Sequence, residues 1–107
     1  MRAFVFLSAL LLSFKGLTVE QQYLVTQVDI QGEVVLFKTH PQKQVTQLSC
    51  VEPSLQAHWG VDLNAPGNVN IYSLVLGAFD SQTPVTITSK QACIAGVEAV
   101  KAIGVMK

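Results

Sequence analysis

Few side chains in this sequence can do acid–base chemistry near neutral pH. His40 and His58 are the only histidines among 107 residues, and neither stands in a nucleophile or metal arrangement. No Gly-x-Ser-x-Gly, His-Glu-x-x-His or phosphate-cradling glycine loop is present to give a base something to activate. His40 precedes Pro41 and reads as an exposed turn residue; His58, beside Trp59, reads as an exposed strand residue. Asp29, Glu33 and Glu98 are candidate general acids and bases, but strand carboxylates near turns are ordinarily solvated. The expectation is a protein that is not an enzyme and carries no cofactor or metal.

Two further residue types carry chemistry of another kind. Cys50 and Cys93 are the only cysteines, and they lack the Cys-x-x-Cys spacing of a redox or zinc site. In an oxidising compartment they are expected to pair, closing a loop of about 44 residues for which loop entropy predicts roughly 4 kcal/mol of stabilisation. Trp59, the one tryptophan, offers a ring on which a sugar or a base stacks. It shares a strand face with Val61 and Leu63, so the core reading leads, and exposure of the ring would favour binding. Trp59 and His58 are the candidate ligand-binding residues.

The compartment is read from the first segment. Met1-Arg2 is followed by an apolar run, Ala3 to Phe14, and then by Lys15-Gly16. A positive start and an apolar stretch of ~7–15 residues fit a secretory signal peptide, whereas a spanning helix needs ~20 apolar residues. Residues 1–18 are read as that signal, cut before Val19, which leaves residues 19–107 as a single domain without stable membrane insertion. Removing Arg2 and Lys15 turns the balance of 7 basic and 7 acidic residues into a net charge of about −2. With no basic stretch there is no electrostatic footprint for nucleic acid. The protein is expected in the periplasm or secreted.

The elements that must position these residues follow from periodicity and turn signals. Tyr23–Ile30 and Val34–Phe37 are rich in β-branched and aromatic types around Gln31-Gly32, which predicts a hairpin. Gln44–Cys50 alternates polar and apolar residues and reads as a third strand, its inward face Val45, Leu48 or both. His58–Leu63 is a short extended segment. A helix is expected at about 65–80, capped by Asn64, with Pro66 in its first turn and an inward stripe of Val69, Tyr72, Leu76 and Phe79 widened by Leu74, Val75 and Ala78. Val85–Thr88 is a strand, and Ala92–Lys107 suits either helix or strand. With a final strand, the order is that of an OB-fold, a five-stranded Greek-key barrel with its helix between the third and fourth strands. The alternative is a generic α+β sheet with one packed helix.

From Cys50 to Cys93 the chain resembles small exported OB-fold proteins of Gram-negative bacteria related to the B subunits of subtilase cytotoxin and pertussis-like toxins. The resemblance rests on Cys50, Trp59-Gly60-Val61-Asp62-Leu63, a proline-initiated helix carrying Tyr72-Ser73-Leu74-Val75-Leu76, the strand Val85-Thr86-Ile87, and Cys93. It implies that the residues after Gly96 form the closing strand. It also implies a non-enzymatic binding module for a glycan or another envelope protein, one that forms homo-oligomers in those toxins; no glycan-contacting residue of the family maps onto a position here. The alternative function is a structural or stress-related periplasmic protein without a small-molecule ligand.

Overall fold

The structure, a computed structural model, describes residues 21–105; the expected signal peptide lies outside the described residues. The hairpin forms as expected. β1 (Leu24–Gln31) pairs antiparallel with β2 (Val34–His40), Val28 facing Phe37 and Gln31 facing Val34. The two-residue turn between them places Gly32 at φ 61°, the positive dihedral that matches a tight turn to strand twist. Pro41, with no amide hydrogen to donate, follows the last residue of β2.

The third strand of the sheet is Trp59–Asp62 (β3), not Gln44–Cys50, which forms no strand. Alternation alone made Gln44–Cys50 look like a strand, but β2 already takes β3 as its neighbour, with Phe37 facing Trp59 and Val35 facing Val61. Of the two inward candidates, Val45 is 76% exposed and Leu48 is half-buried. β4 (Val85–Ile94) and β5 (Val97–Val105) make a long hairpin turned by Ala95 and Gly96, both at positive φ. Of the ambiguous segment Ala92–Lys107, Val97–Val105 is thus a strand. It runs parallel to β3, with Trp59 beside Glu98 and Gly60 beside Ala99. A side chain at Gly60 would collide with that of Val97, so a glycine lets the two strands meet here.

The molecule is therefore mainly β, one five-stranded sheet in the order β1-β2-β3-β5-β4 with a helix between β3 and β4. It is not a closed barrel: the edge strands are joined only at Tyr23 and Val85, which exchange two 2.8 Å backbone hydrogen bonds. One bridged residue pair does not make a ladder.

The helix, α1 (Asn68–Ser81), begins later than expected, after Gly67 at φ 82°. Asn64 is not its cap, because the Asp62 carboxylate accepts the Asn64 amide at 2.9 Å and holds the intervening residues in turns. The inward face is also different. Val75 and Ala78 are buried, with Ile71 and Tyr72 packed against the core, while Val69, Leu74, Leu76 and Phe79 are exposed. The helix therefore meets the core through Ile71, Tyr72, Val75 and Ala78. The core that α1 completes contains Val25, Val35, Phe37, Trp59, Val61, Val85 and Val100.

The expected Cys50–Cys93 disulfide is present, its Cα atoms 6.2 Å apart. It ties the chain after residues 41–49 to β4, just past a register shift between Ser89 and Cys93. The double variant Cys50→Ala/Cys93→Ala is expected to lose about 2–4 kcal/mol of stability, measured by urea unfolding of both proteins at equal pH.

Candidate functional site

One row across the sheet organises the site. Glu98 of β5 lies between Trp59 of β3 and Cys93 of β4 in the strand register. Glu98 is 6% exposed, which corrects the expectation of a solvated carboxylate. Its partner is Lys43, whose Nζ donates to Glu98 Oε1 at 2.8 Å. The same ammonium lies 5.5 Å from the centroid of the Trp59 ring and donates to the Gln44 carbonyl at 3.3 Å. A buried charge persists only when paired and hydrogen-bonded, so these contacts explain how Lys43 is tolerated at 5% exposure.

Lys43 reaches this position on a strap, residues 41–48, laid over the sheet without joining it. Among the described residues no backbone–backbone hydrogen bond joins 42–47 to any strand. The strap is held by Lys43 near its start and by the disulfide just beyond its end. Between strap and sheet lies an open recess of about 260 Å³, walled by Lys43, Gln44, Val45 and Thr46 on one side and Tyr23, Trp59, Gln91 and Glu98 on the other.

Trp59, a sequence candidate for ligand stacking, is 5% exposed, belongs to the core and lies beneath Lys43. Tyr23 packs edge-on against it, ring centroids 6.0 Å apart at 76°, and is half-buried. Tyr23 therefore presents the more accessible aromatic surface of the recess. Burial, together with the nearby Glu98 carboxylate, raises the Tyr23 phenol above its ordinary value.

His58, the other candidate, does not line this recess. It is half-buried, not exposed, and its Nδ1 has no hydrogen-bond partner among the described residues. Burial and the Lys38 ammonium lower its pKa, with Asp29 opposing them. His40, Asp29 and Glu33 are exposed. Glu98 is the carboxylate brought to the recess, and no group of three or more potential metal ligands occurs among the described residues. The residues missed in the sequence are Lys43, Tyr23 and Gln91. The available signal was Glu98 itself, a charge inside the apolar run Val97-Glu98-Ala99-Val100, which demands a buried partner without naming it.

A second recess, about 400 Å³ and bounded by Ala65, Pro66, Asn68, Lys90, Val100 and Lys101, has no buried polar group at its floor. Compared with known proteins, the chain matches no family model, no curated protein and no solved structure.

Two outcomes follow from these environments. Lys43→Met strands a buried carboxylate and is expected to cost about 3 kcal/mol or more, whereas Lys43→Met/Glu98→Leu recovers most of that loss; denaturant unfolding of both variants checks it. For His58, the unfolded chain binds more protons than the folded one between the ordinary value of 6.5 and the lower folded value. Stability is therefore complete above 6.5, falls as pH drops through that window and levels off below it. The melting temperature of His58→Gln should fall less than that of the native protein between neutral pH and about pH 5.

Proposed function

We propose that this protein is a non-enzymatic, exported binding module that takes a saccharide in the recess between strap and sheet, in the manner of toxin B subunits. The observation that carries this reading is the composition of the recess: an aromatic edge at Tyr23 backed by Trp59, with Gln44, Thr46 and Gln91 as the accessible hydrogen-bonding groups beside the buried Lys43–Glu98 pair. Such a mixture suits a ring with apolar C–H faces and hydroxyl edges. At about 260 Å³ the space falls below the ~300–1,000 Å³ common for drug-sized ligands and fits one sugar unit or a chain end. The disulfide supports an oxidising compartment, periplasmic or extracellular. No helix among the described residues is long and apolar enough to cross a membrane.

A second reading, a structural envelope protein whose contacts are with other proteins, is favoured by the outward apolar residues of α1, Val69, Leu76 and Phe79. Glycan-array screening of the protein lacking residues 1–18 tests the first reading, followed by titration of hits against Trp59 emission. Tyr23→Ala is expected to weaken a genuine hit by about tenfold, with circular dichroism of the variant checking that it is folded. A blank array, or hits indifferent to Tyr23, would discard the saccharide reading.

A further inference from the structure

We propose that the recess formed by Glu98, Trp59 and Tyr23 is a recognition site for a primary alkylammonium group, and that Lys43 occupies it in cis as an internal stand-in for such a ligand. This goes beyond the saccharide reading and does not depend on it.

The sheet supplies the two features by which proteins bind ammonium ions. One is a carboxylate, Glu98 Oε1, at 2.8 Å from the Lys43 nitrogen, and the other is an aromatic face, with that nitrogen 5.5 Å from the Trp59 centroid. Tyr23, edge-on to Trp59, completes the aromatic side. Stability alone does not require this chemistry, since an apolar pair of similar volume commonly serves as well as a buried ion pair. A carboxylate beside a tryptophan discriminates for cations, which an apolar pair does not.

The way the cation is delivered points in the same direction. Lys43 arrives on a segment whose residues 42–47 make no backbone–backbone hydrogen bond to a strand among the described residues, with Val45 76% exposed and open space beside it. The third acceptor for the ammonium, the Gln44 carbonyl, belongs to the strap and leaves with it. Lifting the strap would leave the sheet-borne carboxylate and ring in place, because both sit on paired strands. The ligand class follows from the stand-in: a primary ammonium on an unbranched alkyl chain, whether a free diamine or a lysine side chain.

The decisive experiment uses Lys43→Ala with its disulfide intact and n-butylammonium as the probe, read by the emission of Trp59, the one tryptophan in the chain. A saturable response is expected in the variant, with n-butanol giving none. The native protein should respond at least about tenfold more weakly, because Lys43 competes intramolecularly. Adding Glu98→Gln to Lys43→Ala should weaken binding about tenfold or more. Comparing 1,5-diaminopentane with Nα-acetyl-lysine amide then separates a diamine from a lysine side chain as the preferred source. If Lys43→Ala is unfolded alone, the same titration reads refolding by circular dichroism, and recovery with butylammonium but not butanol supports the site. Equal responses to amine and alcohol, binding indifferent to Glu98, or no response up to about 100 mM amine would overturn the proposal. A blank glycan array bears only on the saccharide reading.

Discussion

The Glu98 carboxylate sits inside the sheet between a tryptophan and a disulfide, and much of the architecture on that side follows from keeping it paired. Withdrawing such a charge from water costs several kcal/mol unless a counter-charge and further hydrogen bonds compensate. The counter-charge comes from Lys43, 55 positions earlier in the chain. The strap therefore has to cross the sheet, even though it forms no strand of its own. Cys50–Cys93 fastens its far end to the same register row, and the Thr39 hydroxyl donates to the Pro41 carbonyl at its start, so side-chain links hold a segment that the backbone ladder does not.

This arrangement makes the strap different in kind from the rest of the domain. Strands β1 to β5 are fixed by cooperative ladders and by a core in which Val25, Val35, Phe37, Val61, Val75, Val85 and Val97 are fully buried. The strap is held by the Lys43–Glu98 ion pair, by the disulfide beyond its end and by the Thr39 hydroxyl of β2, which donates to the Pro41 carbonyl at 3.0 Å, and segments with few backbone bonds lie at the low end of local stability. The helix contributes in another way. By seating Val75 and Ala78 against the sheet and leaving Leu76 and Phe79 outside, it completes the core and still presents an apolar surface.

The elements that were legible in the sequence are those specified by local chemistry. Gly32 marked the first hairpin, and the β-branched runs marked its strands. Reading failed where two periodic patterns competed for one place. Gln44–Cys50 alternates as a strand should, but the register of β2 gives its free edge to Trp59–Asp62. In α1 apolar residues lie on more than one face, and the stripe of Val69, Tyr72, Leu76 and Phe79 read from periodicity gives way to Ile71, Tyr72, Val75 and Ala78, which meet the core. The candidate site divides similarly: Trp59 stood out as a lone aromatic, whereas Lys43 gave no sign of its role.

The sequence by itself determined the mainly β character, the helix ahead of β4 and the pairing of Cys50 with Cys93, since each depends on residue type, residue count and near-neighbour spacing. Tertiary structure alone decided which residues form β3, which face of α1 is buried, and that Glu98 and Lys43 meet over Trp59. Those outcomes depend on competition among distant segments for the same sheet edge, core volume and counter-charge, a contest in which local pattern has no vote.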